Sequence, residues 1–155
     1  MSDQSWRRCR RDVNDDLFSR IIRHGQKKCW RCLRTKEPAS LQAAHIVGRG
    51  SYTTRFQLEP VRNAIPLCAD CHDWFDSHKM RDLIFEPEKR VFTWKDESYT
   101  FLVEKCGYTW RDLQKLYISG QGTIKIKYQF WKKAMTLQLR QFLNVLNEGT
   151  EKESA

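Results

Sequence analysis

CWRC (29–32), QAAHIVGR (42–49) and RNAIPLCADCHDWFDSH (62–78) follow one another in the middle of the chain, and their spacing decides the fold. Two C-x-x-C pairs, Cys29/Cys32 and Cys68/Cys71, bracket the stretch. Each pair places two thiolates on one tight knuckle. Two knuckles complete a four-sulfur tetrahedral site for Zn²⁺. A redox C-x-x-C would explain one pair and not both. Disulfides are not expected, because no secretory signal opens the sequence. Zinc is therefore expected to join the ends of a module whose body is the sequence between the knuckles.

Within that body, residues 41–47 form a short apolar run ending at Gly48, and residues 63–67 form a second. Both suit strands. From Asp70 onward, with Trp74 and Phe75 and no breaker, the chain suits a helix. His72 and Asp76 stand four apart and so share one face of it. The order is strand, long loop, strand, helix. His45 comes from the first strand, Asn63 opens the second, and His72 and Asp76 project from the helix.

AAHIVGR, NAIPLC and CADCH, in that order between two C-x-x-C pairs, resemble the HNH (ββα-metal) endonucleases. The nearest likeness is to the small zinc-stapled HNH proteins of bacteriophages and prophages. The resemblance covers Cys29 to Lys79. It implies an α+β fold: a ββα-metal core stapled by a four-cysteine zinc site, flanked by an N-terminal helix, a short added hairpin and C-terminal helices. It also implies a metal-dependent DNA endonuclease that hydrolyses phosphodiester bonds, leaving a 5′-phosphate and a 3′-hydroxyl. In that reading His45 is the general base, for which an imidazole with an unperturbed pKa of about 6.5 is suited. Asn63 braces the loop and orients the base or metal, and His72 binds a single divalent ion. In many members an Asp, Glu or His precedes the base and ligates the ion; here that position is Ala44, which can ligate nothing. Asp76, one helical turn past His72, is the expected second ligand, ahead of Asp73 or His78. Such a site suits Mg²⁺ or Mn²⁺, although an imidazole also accepts Ni²⁺ or Zn²⁺.

The loop between the strands carries Gly48, Gly50, Arg49 and Arg55, with Arg62 just beyond. Glycines let backbone approach a ligand closely, and arginines grip phosphate in a planar fork. Arg49, four residues past the base, is the candidate for the scissile or neighbouring phosphate.

The whole chain has 155 residues and a formal charge of +9. DNA is the favoured partner and a membrane surface the weaker one. No apolar run reaches the roughly eighteen residues of a membrane span. A reduced, cytoplasmic protein is expected, in the bacterial host cell if the gene is a phage's. Residues 1–11 form a basic arm. Residues 12–79 hold the N-terminal helix and the HNH zinc module. Residues 80–147 hold the hairpin and helical extension, and residues 148–155 a frayed tail.

The helix over residues 12–24 turns Val13, Leu17, Phe18, Ile21 and Ile22 to one face, with Asp12 or Asn14 as cap, Asp15 and Asp16 complementing its positive end, and Gly25 as stop. Leu83–Phe85 and Val91–Trp94 read as a hairpin. Asp96 to Lys105 reads as a helix, and Thr109 and Asp112 open another as a capping box, ending near Ser119. A last helix from Lys127 to Asn147 is marked by Trp131, Met135, Gln138, Phe142 and Leu146. It carries Lys132 and Lys133 as further DNA contacts. A homodimer would allow both strands to be cut. The alternative is a zinc-dependent DNA-binding module without catalysis, which Ala44 favours.

Overall fold

The computed structural model describes residues 13–47, 54–79, 83–86, 91–94, 96–121 and 128–154. Arg49 and the basic arm lie outside the described residues, as do Asp12, Cys9 and the glycines of the loop. The molecule is α+β.

Its centre is a two-stranded antiparallel sheet, β1 (Leu41–His45) and β2 (Ala64–Cys68), with Leu41 opposite Cys68 and His45 opposite Ala64. Pro66 stands inside β2 and lacks an N–H, which is tolerated because β2 has a single partner strand among the described residues. The free carbonyl of Pro66 accepts from the Trp30 backbone N–H at 3.2 Å and so ties the first knuckle to the strand.

Side chains alternate across a strand, and the two faces of this sheet meet different helices. Ala44, Ile65 and Leu67 face a core completed by Cys71 and Phe75 of the helix that follows β2. That helix, α2 (Ala69–Ser77), starts directly after β2 with Cys68 as its N-cap residue. The opposite face turns Ala64 towards Leu17, Phe18, Ile21 and Ile22 of α1 (Val13–Arg23), with Phe56 and Leu139 closing this second core. The expected apolar stripe of α1 is therefore present, except that Val13 is 43 % exposed. Gly25 has φ +69, the left-handed conformation that favours glycine past a helix end.

Asn14 does not cap α1. It is fully buried, donates to the Lys132 carbonyl at 3.3 Å and accepts from the Thr136 hydroxyl at 2.6 Å. A partner 118 residues away outweighs the local capping preference, because a buried amide must satisfy its bonding groups.

The expected hairpin forms from β3 (Leu83–Glu86) and β4 (Val91–Trp94). α3 (Glu97–Lys105) follows, with the Asp96 carboxylate accepting from the Tyr99 N–H at 2.6 Å as N-cap. The Ser98 hydroxyl donates to the Phe75 carbonyl at 2.6 Å and docks α3 on α2. The capping box of α4 (Trp110–Gln121) is reciprocal: Thr109 N–H to Asp112 at 3.0 Å, and Asp112 N–H to the Thr109 hydroxyl at 3.1 Å. The helix runs on through Gly120 rather than stopping at Ser119.

α5 (Tyr128–Ser154) packs along α1. Leu139 is fully buried, with Met135, Phe142, Leu143 and Leu146 beside it; Gln138, expected on this face, is exposed. Helix continues past Asn147, where fraying was expected. The Thr150 hydroxyl lies 2.9 Å from His24 Nε2 at the end of α1, which holds this last part of α5 in place. Among the described residues, no helix is long and apolar enough to cross a membrane.

Candidate metal-dependent active site

The four knuckle thiols come together as their spacing requires. The Sγ atoms of Cys29, Cys32, Cys68 and Cys71 all lie within 4.8 Å of one another. The first knuckle closes through Leu33 N–H to the Cys29 carbonyl at 2.9 Å and Cys29 N–H to the Arg34 carbonyl at 3.2 Å. Leu33 takes φ +60 at this turn and points 66 % exposed into solvent.

Burial would raise the Cys29 thiol. The backbone N–H groups of Cys68, Cys32 and Arg31 overcome it and bring the group down to about 7. Burial pushes the Cys71 thiol up to about 12; its neighbouring thiols add to the effect, while the Arg31 guanidinium, 3.7 Å from Cys71 Sγ, opposes it. Four sulfurs this close cannot all ionise without a cation among them. The donor set and its geometry fit a metal ion such as Zn²⁺.

The second site lies in a cleft of about 540 Å³ between α1 and α2, lined by Asp15, Ser19, Arg23, Gln42, His45, His72, Asp76 and Lys79 among others. His45, last residue of β1, points to the α1 side. Its ring stacks on Phe18, with centroids 5.2 Å apart and planes at 30°. The stack fixes the imidazole at the cleft wall. His72 sits in the first turns of α2, and its Nε2 is 3.3 Å from Asp76 Oδ2 one turn further on. Two ligand atoms, each about 2.1 Å from one ion, stand about 3.0–3.5 Å apart at octahedral or tetrahedral angles. The observed pair fits that test.

Each of these two side chains is held from behind. His72 Nδ1 lies 2.7 Å from the Gln42 side-chain oxygen. Asp76 Oδ1 takes an ion pair from Lys79 at 3.0 Å. Lys79 also donates to the backbone carbonyl of His45. A closed circuit results, from β1 through Lys79, Asp76 and His72 to Gln42 and back to β1. Burial would raise the Asp76 carboxyl, but the His72 hydrogen bond and the Lys79 charge hold it at about 2. It is therefore an anion at any pH near neutral. Lys79 is lowered by its own burial, with Asp76 opposing.

Ala44 is fully buried in the α2-side core, so no ligand comes from that position. Asn63 is fully buried as well. Its side chain accepts from the Val47 N–H at 2.8 Å and donates to the Val47 carbonyl at 3.1 Å. Its backbone carbonyl accepts from the Ile46 N–H at 2.9 Å. Asn63 thus pins the two residues after His45.

His78 stacks on Trp74 and lies 3.6 Å from Glu97, in the direction of α3.

The expected phosphate contacts divide. Arg55 is 1 % exposed and its Nη2 lies 2.6 and 2.7 Å from the two carboxylate oxygens of Asp15, so it does not present itself to a ligand. The Arg62 guanidinium lies 6.0 Å over the Phe142 ring. Lys132 is half-buried along α1, and Lys133 is exposed.

Sequence reading passed over Gln42, Lys79 and Arg23. Arg23 is clamped by two main-chain carbonyls, Ser19 at 3.2 Å and Pro38 at 3.1 Å, and no carboxylate pairs with it among the described residues. For Gln42 a signal did exist: it shares strand parity with position 44, where the family carries a ligand.

A ββα unit with a thiol-cluster staple, and a His–carboxylate pair on the helix lining one cleft with a strand histidine, is the arrangement of a ββα-metal module. Residues 29–80, about a third of the chain, match the family model described as HNH endonuclease. Neither the curated proteins nor the solved structures contain a match to the chain.

Proposed function

We propose that the protein is a metal-dependent DNA endonuclease of the HNH type. The observation that carries this reading is that His45, His72 and Asp76 line one cleft, with the two helix side chains set 3.3 Å apart for a shared ion.

His45 takes the proton from a water molecule as its oxygen attacks phosphorus. Stacking on Phe18 and anchoring of the following backbone by Asn63 keep the ring from turning away. His72 and Asp76 would hold Mg²⁺ or Mn²⁺, which supplies positive charge where the leaving oxygen gains negative charge. Arg23 and Lys79 add fixed cations to the same cleft. The products are a 5′-phosphate and a 3′-hydroxyl. Zn²⁺ on the four cysteines holds the module's two ends together and has no part in the chemistry. Lys133 and Arg62 extend the basic surface. DNA affinity then comes mainly from phosphate contacts, with little sequence preference and steep loss with salt. A phage or prophage origin, a cytoplasmic setting and a homodimer belong to the same proposal.

Zinc-loaded protein is incubated with supercoiled plasmid and Mg²⁺, Mn²⁺ or Ni²⁺, beside His45→Ala. Ion-dependent nicking that vanishes in His45→Ala is expected. Retained nicking by folded His45→Ala would remove His45 from its role. Gel retardation without nicking under any ion would favour a DNA-binding module, the reading that the buried Ala44 supports.

A further inference from the structure

We infer that Gln42 is a positioning residue for His72: its side-chain carbonyl accepts the Nδ1 proton and so commits Nε2 to the ion shared with Asp76. This rests on the His72–Asp76 ion site proposed above.

Gln42 stands on β1 opposite Leu67, two residues before Ala44 and on the same face of the strand. That face meets α2. A glutamine side chain is long enough to pass over the buried Ala44 and reach the helix, and its oxygen ends 2.7 Å from His72 Nδ1. A neutral imidazole carries one N–H, and a nitrogen can bind a cation only where it keeps its lone pair. Without an ion Nε2 can donate to Asp76 Oδ2, 3.3 Å away; with the proton on Nδ1 and donated to Gln42, the lone pair is on Nε2 and available to the ion. The opposite assignment turns the Gln42 amide N–H₂ towards Nδ1 and puts the proton on Nε2, where it closes the ligand position. The ring's tautomer therefore decides between a prepared ion site and a blocked one.

The arrangement answers a deficit in this chain. With alanine at position 44, two side chains do the work of three, and an error in either costs more. Lys79 serves Asp76 as Gln42 serves His72, by pairing with Oδ1 at 3.0 Å while Oδ2 stands beside His72 Nε2. Such partners of metal-ligating histidines fix ring orientation and raise ligand basicity, and losing one typically weakens metal binding about 10–100-fold.

The test uses the zinc-loaded full chain with ¹⁵N-labelled histidine and just enough Mg²⁺ to saturate the parent, at about pH 8, above the ordinary imidazole range. Long-range ¹H–¹⁵N spectra should show His72 as the Nδ1–H tautomer in the parent and in Gln42→Glu, and shifted to Nε2–H in Gln42→Leu. Calorimetric titration with Mn²⁺ should show binding weakened about 10–100-fold in Gln42→Leu. Gln42→Glu, which keeps the acceptor, should bind at least as tightly as the parent. An Nε2–H tautomer in the parent overturns the inference. So does unchanged Mn²⁺ affinity in Gln42→Leu when His72→Ala binds weakly. Parent-like affinity in His72→Ala overturns the ion site itself and the inference with it, so the two failures are told apart.

Discussion

Replacing Arg55 by Met strips a buried carboxylate of its guanidinium. Asp15 and Arg55 are 7 % and 1 % exposed and meet through two contacts of 2.6 and 2.7 Å. The pair joins α1 to the segment that leads back into β2, so it fastens one wall of the cleft to the module. Removing one member of a buried pair costs about 3–5 kcal/mol, because the remaining charge has lost its compensation without regaining water. Against a typical total of about 5–15 kcal/mol this is a large fraction. Asp15→Leu should cost a similar amount. The double variant Asp15→Leu/Arg55→Met removes both charges and should recover most of the loss, since apolar replacement of a whole buried pair is often neutral or better. The assay is urea unfolding of the zinc-loaded proteins as a double-mutant cycle. DNA affinity is measured in parallel against salt. A lost phosphate contact would lower the slope of log K against log salt by about 0.9; a buried arginine leaves it unchanged. Arg55→Met with parental stability and a slope reduced by about 0.9 would refute the buried pair and return Arg55 to the DNA.

Three further outcomes are expected. Arg23→Gln should lower the salt slope of DNA binding by about one phosphate while zinc content stays unchanged; an unaltered slope would remove Arg23 from the substrate path. Tyr99→Phe leaves the Ile46 carbonyl without the hydroxyl now 3.0 Å away, and urea unfolding should show a loss of about 1–3 kcal/mol; no loss would mean that water replaces it freely. Zinc affinity should rise with pH. Both Cys71, raised to about 12 by burial, and Cys29, brought to about 7 by backbone N–H groups despite burial, must shed protons to bind metal. Cys71 alone gives about tenfold per pH unit, and Cys29 adds about as much again below pH 7. Competition with a chromophoric chelator reads this slope, and a flat profile would contradict it.

What could be read from the chain before its fold was known follows the range of the interactions. The knuckles, the ββα order, the hairpin and the Thr109–Asp112 box depend on neighbours a few residues apart, and all are found where their spacing puts them. His72 and Asp76 are legible for the same reason, being one turn apart on one helix. The misreadings fall where distant chain segments meet. Arg55 looks like a phosphate ligand until Asp15 is brought against it, and Asn14 looks like a cap until α5 offers it partners. On α5, exposed Gln138 and buried Leu139 differ by a single step of helix phase, which a long amphipathic pattern fixes poorly. Lys79 gains its meaning from reaching back to β1, and no local pattern announces that, while for Gln42 strand parity with position 44 is the one local hint.

Cys71 and His72 are consecutive on α2, one in the thiol cluster and the other the proposed ligand of the catalytic ion. On the proposed function the two metals would then have an order of loading. Until the sulfurs are filled, the first turn of α2 has no fixed origin from which residue 72 can be aimed. A strong chelator would empty both places, and silence in such a control would be as much the collapse of the scaffold as the loss of the catalytic cation. Omitting the second cation from zinc-replete protein is the cleaner control.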